Sequence, residues 1–251
     1  MSEAWFVRPR PNPAARARLF CFPHAGGAAS AYYGWGAALP EVEVVAVQAP
    51  GREGRMKEPP IVDSRELVSQ LTDAIAPSLD RPVCFFGHSM GALVAYEVAR
   101  ELRRRGAPMP AHLYVSGRRS PTLPESGPLL HPLPDGEFID ELNRRFGGLP
   151  AAIVDEPELL ELFLPVLRAD VTLLETHVFR AEAPLDVPMS AYGGVGDHQT
   201  HPESLGAWGT LAARPLTVRT FPGGHFYLHQ HRDDFLRAFR QELTRTLHGA
   251  G

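Results

Sequence analysis

Short apolar segments rich in valine, isoleucine and phenylalanine recur along the chain, separated by longer segments with helical periodicity. The apolar segments predict six β-strands, at 18–22, 43–47, 83–86, 112–116, 188–192 and 216–221. Helices are predicted at about 64–78, from Ser89 to just before Gly106, and at about 233–247. This alternation is typical of an α/β protein with a mostly parallel central sheet and helices on both faces.

One interval departs from this alternation. About seventy residues between Ser116 and Pro188 contain no predicted strand, whereas connections in compact domains usually have about 2 to 6 residues. Helices are predicted there at 136–146 and 157–179, with a kink at Pro165. The second has an apolar surface wider than one stripe, which indicates a lid with one side facing a cavity. Simple packing of helix on helix is the alternative. We expect a single domain over 1–251 with a lid insertion at about 117–183.

Composition excludes several classes of function. The 251 residues include 25 lysines and arginines against 29 aspartates and glutamates, a formal net charge of −4. Without a basic field, general nucleic-acid binding is not expected. No apolar run reaches the roughly 18 residues that a membrane span requires, and the first ten residues lack the features of a secretory signal. We therefore expect a cytoplasmic protein with no membrane partner, in which Cys21 and Cys84 are buried free thiols.

The strongest chemical signal is the pentapeptide Gly87-His88-Ser89-Met90-Gly91, between the strand at 83–86 and the following helix. A serine on so sharp a turn adopts a strained backbone, and the two glycines let strand and helix approach closely. We expect the Ser89 hydroxyl to be an exposed nucleophile and the Met90 N–H to face a developing oxyanion. A tight turn with an incidental serine is the alternative.

A serine nucleophile needs a base and a carboxylate to orient that base. His225 lies in the loop FPGGHF after the strand at 216–221, and Asp197 in GGVGD after the strand at 188–192. The order Ser89, Asp197, His225 is the one expected of an α/β-hydrolase. Capping of the next helix is the alternative role for Asp197. Asp186 precedes its strand and is a weak rival. The His88 side chain is expected to point away from the site, either in a packing role or in contact with a residue of the site from behind.

The second oxyanion donor is expected in the loop after the strand at 18–22. That loop reads Pro23-His24-Ala25-Gly26-Gly27, and the Ala25 N–H is the candidate because its glycines let the backbone approach a substrate closely. His24, Phe163 and Leu167 are candidates for the lining of the substrate pocket.

Several motifs together resemble the type II thioesterases, the free-standing editing hydrolases of polyketide and nonribosomal peptide assembly lines. These motifs are FPHAGG, QAPGREGR, GHSMGALVAYEVA, LNRRFGGLP, ELLELFLPVLRADVTLLET, GGVGD and FPGGHFYL. The resemblance covers nearly the whole chain. It implies an α/β-hydrolase fold with the triad at Ser89, Asp197 and His225 and the oxyanion donors at Ala25 and Met90. His198 departs from the proline that commonly follows the acid in this family.

The resemblance also implies a reaction and a partner. An acyl carrier or peptidyl carrier protein would present an acyl thioester on its phosphopantetheine arm, Ser89 would attack the carbonyl, and water would release the acyl group. No cofactor or metal is expected. Four arginines around the predicted lid are candidates for contact with an acidic carrier, with a solvated basic rim as the alternative: Arg118, Arg119, Arg144 and Arg145.

Two other functions fit the same motifs. A carboxylesterase or an acyltransferase would use the same triad on a different substrate or acceptor. A non-catalytic ligand-binding protein of the α/β-hydrolase fold is a more distant alternative, since such proteins usually lack a member of the triad and here all three are present.

Overall fold

The computed structural model describes residues 2–124, 127–147 and 156–249. Within them, a seven-stranded sheet has the order β1-β3-β2-β4-β5-β6-β7. The first strand runs antiparallel to β3 and all other neighbours are parallel. The strands are β1 (Phe6–Val7), β2 (Ala17–Phe22), β3 (Val42–Val47), β4 (Val83–His88), β5 (His112–Ser116), β6 (Met189–Gly194) and β7 (Thr217–Phe221).

All six predicted strands are confirmed, as β2 to β7, within two residues at each end. The seventh strand, β1, was not predicted because two residues are too few to show a period, and its pairing with β3 is a long-range contact. The α-helices are α1 (Trp35–Ala38), α2 (Ser64–Ile75), α3 (Met90–Arg104), α4 (Asp135–Phe146), α5 (Pro157–Glu175), α6 (Pro202–Gly206), α7 (Tyr227–Gln230) and α8 (Arg232–Gly249).

The central strands are buried on both faces, so alternate residues enter two different cores. On β4, Val83 and Phe85 belong to the core beneath α2 and α3. Cys84 and Phe86 belong to the opposite core, beneath α1 and α8. The expected helices on both faces are therefore present, and Cys21 and Cys84 are buried free thiols, as predicted. Burial raises the pKa of the Cys84 thiol to about 12.

Helices α4 and α5 occupy the long interval between β5 and β6. They share a small apolar cluster that includes Phe138 and Leu142 of α4 and Leu167 and Val171 of α5. The helix predicted at 157–179 ends at Glu175, and the chain beyond it is tied to α2 by a hydrogen bond between the side chains of His177 and Ser64. Residues 125–126 and 148–155 of the predicted lid insertion (about 117–183) lie outside the described residues.

Five loops that follow parallel strands meet at one edge of the sheet. Because all these strands point the same way, the loops after β2, β4, β5, β6 and β7 leave from the same side, and α4 and α5 lie against that side across a shared cavity. This carboxyl edge is where ligands bind in open α/β sheets. Of the helices described, none combines the length and apolar character needed to cross a membrane.

Candidate active site

Ser89 stands on a strained turn between β4 and α3. Its φ of 54° and ψ of −114° place a non-glycine residue in a region that L-amino acids rarely occupy, at a typical cost of about 1 to 3 kcal/mol. The Ser89 N–H donates to the Ser116 carbonyl of β5 at 2.7 Å, which anchors the turn to the sheet. The predicted exposure to bulk solvent is not observed, since Ser89 is only 8% exposed. The residue instead lines the cavity at the carboxyl edge.

The glycines two residues before and after Ser89 are required by contact. A Cβ at Gly87 would overlap the backbone of Gly91, and a Cβ at Gly91 would overlap the carbonyl of Phe22 at the end of β2. These overlaps involve backbone, which cannot move aside as a flexible side chain can. The turn therefore depends on glycine at both positions.

Asp197 and His225 form a buried hydrogen-bonded pair. His225 Nδ1 donates to Asp197 Oδ2 at 2.8 Å, and the Thr200 hydroxyl and Gln199 N–H donate to the same carboxylate at 2.6 and 2.9 Å. Burial would raise the pKa of Asp197, but these hydrogen bonds and the charge of His225 lower it below its usual value. An ionised Asp197 assigns the ring proton to Nδ1 and leaves Nε2 as the basic nitrogen.

The loops that carry this pair approach each other through glycines. A Cβ at Gly194 would overlap the carbonyl of Gly224, and Gly223 adopts a φ of 107°. The Gly196 N–H donates to the Gly223 carbonyl at 2.8 Å. This close contact brings His225 to the cavity that Ser89 also lines.

His88 packs behind His225, which agrees with the predicted packing role but not with a side chain pointing away from the site. The two ring centroids are 5.2 Å apart. His88 Nδ1 is hydrogen-bonded to the Ser116 hydroxyl at 2.9 Å, and that hydroxyl to the Tyr227 hydroxyl at 2.6 Å. Burial and the neighbouring histidines hold the pKa of His88 well below its usual value. A neutral imidazole thus supports the ring of His225 from the side of the sheet.

The two candidate oxyanion donors lie on either side of Ser89's turn in the fold, one at the start of α3 and one in the loop after β2. Met90 is the first residue of α3 and directly follows Ser89, whereas Ala25 lies in the loop after β2 and lines the cavity. Among the described residues, neither the Ala25 nor the Met90 N–H has a hydrogen-bond acceptor. Both amides are therefore available to a ligand oxygen.

A cavity of about 510 Å³ surrounds these groups. His24, Phe163 and Leu167, the predicted pocket residues, all line it, as do further apolar side chains of α4 and α5: Leu142, Phe146, Leu162, Val166, Val171 and Leu174. A mostly apolar wall beside a few polar groups suits a ligand with a hydrocarbon portion and one reactive polar centre. Within the described residues, no group of three or more histidine, cysteine or acidic side chains is placed to hold a metal ion.

The four predicted rim arginines do not form one outer surface. Arg118, Arg119 and Arg145 line the cavity, and Arg144 does not. The Arg145 side chain is only 9% exposed and is bonded to Glu141 and the Pro128 carbonyl. Arg144, with a side chain 66% exposed and paired to Glu141, faces solvent.

Sequence reasoning did not single out two charged residues at the site. Arg52 and Asp170 form a buried ion pair against the loop that carries Ala25. Asp170 is a carboxylate with apolar neighbours on both sides, Ala169 and Val171, in the second half of α5. That conflict with its surroundings is the signal that could have identified it.

The arrangement is that of an α/β-hydrolase, with a serine on a tight turn after a central strand and a hydrogen-bonded Asp–His pair at the same sheet edge. Residues 17–243 match the family model of the thioesterase domain. The chain is 38% identical to the gramicidin S biosynthesis protein GrsT of Aneurinibacillus migulanus over 97% of this chain and 95% of that protein.

Two solved structures are similar over almost their whole length. The RedJ thioesterase from the prodiginine pathway of Streptomyces coelicolor has a TM-score of 0.85 and 41% identity, covering 96% of this chain and 94% of that one. The type II thioesterase BorB from the borrelidin cluster has a TM-score of 0.83 and 36% identity, covering 96% and 97%. The chain therefore belongs to the type II thioesterases, and it is a hydrolase acting on thioesters.

Replacement of Gly91 by alanine tests the requirement for close approach. Because the new Cβ would overlap the Phe22 carbonyl, we expect Gly91→Ala to lower the free energy of unfolding by about 3 kcal/mol or more and to abolish thioester hydrolysis. Gly136→Ala is the matched control, since a Cβ there meets nothing within 4 Å. Urea unfolding gives the free energy of unfolding of both variants, and a thioester hydrolysis assay gives their activity. A Gly91→Ala protein as stable and as active as the wild type would contradict the interpretation.

His24 predicts a dependence of stability on pH. Burial, followed by the charges of His229, His225 and Arg52, lowers its pKa to about 3. As pH falls below about 6.5, His24 binds a proton in the unfolded chain but stays neutral in the folded protein until pH approaches about 3. The free energy of unfolding therefore decreases towards acid pH. We expect His24→Gln to reduce the loss between pH 7 and pH 5 by about 2 kcal/mol. Exposed His198→Gln is the control, and equal losses in wild type and His24→Gln would refute the assignment.

Proposed function

We propose that this thioesterase removes acyl groups from the phosphopantetheine arms of acyl carrier or peptidyl carrier proteins, using Ser89, His225 and Asp197 as a catalytic triad. The observation that carries the mechanism is the 2.8 Å hydrogen bond from His225 to Asp197 at the edge of a cavity that Ser89 also lines. The proposal about the substrate is supported by the relatives, which include proteins of the gramicidin S, prodiginine and borrelidin pathways. An enzyme serving such substrates would work in the cytoplasm.

The reaction proceeds in two displacements at the acyl carbon. His225 Nε2 takes the Ser89 proton as Oγ bonds to the thioester carbonyl, whose oxygen becomes an anion facing the Ala25 and Met90 amides. The C–S bond then breaks, the thiol departs with the proton from His225, and an acyl-serine ester remains. Water, activated in the same way, attacks that ester and releases the acid, which regenerates Ser89.

The leaving group determines which parts of the site matter most. A thiol, with a pKa near 8.5, leaves far more readily than an amine. Protonation of the leaving group therefore contributes less than it does in a protease, and catalysis depends chiefly on the two oxyanion donors and on placement of the carbonyl.

The acyl chain would occupy the apolar cavity beneath α4 and α5. These two helices belong to the proposed lid, the insertion at about 117–183. Apolar walls select an acyl chain by its size, because the hydrophobic effect has no preferred direction. This suits the removal of varied stalled or incorrect acyl groups. A carboxylesterase or acyltransferase would use the same groups. Turnover of a pantetheine thioester against the matched oxygen ester, with and without an alcohol or amine acceptor, distinguishes these activities.

Two substitutions test the triad. Ser89→Ala should fold normally and lose at least about 10³-fold of the hydrolysis of an acyl-carrier thioester, because the nucleophile is gone. Asp197→Asn should also lose activity heavily, since the amide can stabilise the wrong tautomer of His225. Intact-protein mass after exposure to acyl-pantetheine thioesters should show an acyl adduct on the wild type and none on Ser89→Ala. Near-wild-type turnover by Ser89→Ala would remove Ser89 from this role.

Carrier docking is testable at Arg144. Because this side chain is exposed beside the cavity-lining part of α4, we expect Arg144→Glu to lower kcat/KM for an acyl-carrier severalfold while leaving a free acyl-pantetheine substrate unaffected. Arg237→Glu is the matched control, an arginine on α8 that is 70% exposed and likewise paired to an acid three residues away. Equal values of kcat/KM for the acyl-carrier substrate in the two variants would refute docking through Arg144.

A further inference from the structure

A buried ion pair joins α5 to the segment after β3. Arg52 donates from Nη1 to Asp170 Oδ2 at 2.8 Å and from Nη2 to Oδ1 at 2.9 Å. Asp170 is 2% exposed and Arg52 is 6% exposed. The two-pronged geometry fixes the orientation as well as the distance of the two side chains.

The same pair holds the loop between β2 and the following turn. The Gly26 N–H donates to Asp170 Oδ2 at 2.7 Å, and Arg52 Nη1 donates to the Gly27 carbonyl at 2.9 Å. A third side chain extends the contact, since Gln48 accepts from the Ala29 N–H at 2.9 Å and donates to the Arg52 carbonyl at 2.7 Å. Successive backbone groups of the loop are therefore fixed by side chains from two distant segments.

These contacts lie next to the candidate oxyanion donor. Gly26 directly follows Ala25. Its φ of 71° lies in the left-handed region, and a glycine by itself does little to hold the backbone in one conformation. With the Gly26 N–H bound to Asp170, the peptide plane after Ala25 has one orientation. The plane before it holds the Ala25 N–H and the His24 carbonyl, and that carbonyl accepts from the Gly27 N–H at 2.9 Å. Contacts on both sides of Ala25 therefore restrict the direction of its N–H. Leu167 of α5 packs against Gly26 from the cavity side.

Stability alone is a weak reason for such a pair. Removing two charges from water costs about as much as their attraction returns, so apolar replacements of buried ion pairs are often neutral or stabilising. What a charged, bidentate pair supplies and an apolar contact does not is a fixed direction for the groups bonded to it.

We propose that Arg52 and Asp170 are positioning residues that hold the Ala25 N–H towards the oxyanion. Asp170 does so from the helix that also forms the acyl wall, so the second half of α5 and the oxyanion loop move as one unit. The inference rests on the proposed triad mechanism and adds to it two residues that act through the loop carrying Ala25 and not on the reacting atoms.

Asp170→Asn is the principal test, because asparagine keeps the shape of the side chain but loses the charge and one acceptor. We expect kcat for an acyl-pantetheine thioester to fall about tenfold with KM within about twofold, less than the roughly 10² to 10³ seen when an oxyanion donor is removed outright. Asp135→Asn is the matched control. Asp135, the first residue of α4, pairs with Arg168 of α5, the helix that also carries Asp170. Its side chain is 70% exposed, and among the described residues it has no hydrogen bond to the loop at 23–27 that carries Ala25, the oxyanion loop.

A transition-state mimic distinguishes positioning from a structural role. The Ser89 hydroxyl adds to the carbonyl of a trifluoromethyl ketone analogue of the thioester, and the resulting oxyanion faces the Ala25 and Met90 amides. The corresponding thioether has no carbonyl and occupies the cavity without reacting. In Asp170→Asn, the ketone should bind about tenfold more weakly and the thioether with unchanged affinity. Equal weakening of both ligands, or an unchanged kcat, would overturn the inference.

Arg52→Lys provides a second variant should Asp170→Asn fail to fold, as judged by its melting temperature. Lysine keeps the charge but cannot bind Asp170 in two places and also reach the Gly27 carbonyl. The same split between ketone and thioether is expected, and its absence would overturn the inference. Failure of the proposed function has a different signature, in which the wild type itself does not hydrolyse the thioester.

Discussion

The left-handed backbone at Ser89 is the constraint on which the site depends. A non-glycine residue keeps this conformation only where its surroundings enforce it, and here β4, β5 and α3 do so together. The Ser116 carbonyl binds the Ser89 N–H, and the absence of a Cβ at Gly87 and Gly91 lets α3 begin directly against β4 and β2. Ser89 therefore stands directly before the start of α3, where the Met90 N–H is available to an anion at the positive end of the helix.

The parallel sheet supplies the remaining groups by aligning the ends of its strands. Loops after β2, β6 and β7 contribute Ala25, Asp197 and His225 to the edge where Ser89 stands. The Asp197 carboxylate is then fixed by two donors of its own loop, the Gln199 N–H and the Thr200 hydroxyl, and by His225 from the loop after β7. The imidazole of His225 is fixed by Asp197 and by the ring of His88. The sheet thus determines which loops meet, and polar contacts determine their orientation.

Features that depend on local sequence pattern were predictable, whereas features that depend on contacts between distant parts of the chain were not. The six longer strands and the positions of Ser89, Asp197 and His225 were predictable, because buried strands are continuous apolar runs and the candidate residues follow strand ends directly. Strand β1 and the pair between Arg52 and Asp170 depend on partners far along the chain, 118 residues apart for that pair. The burial of Arg145 depends likewise on a contact with the Pro128 carbonyl, which no local periodicity records.

The distribution of contacts separates selection of the acyl group from placement of its carbonyl. Apolar burial is non-directional, so under the proposed function the cavity beneath α4 and α5 would accept acyl chains of different shape with similar energy. Hydrogen bonds are directional, and at this site they join His225 to Asp197 and the Gly26 N–H to Asp170. Because Leu167 and Asp170 lie on the same helix, the wall that receives the chain and the contact that orients the oxyanion loop share one rigid element. Under the proposed function, a site built this way would tolerate variation in the acyl chain while holding the reacting carbon in a single geometry.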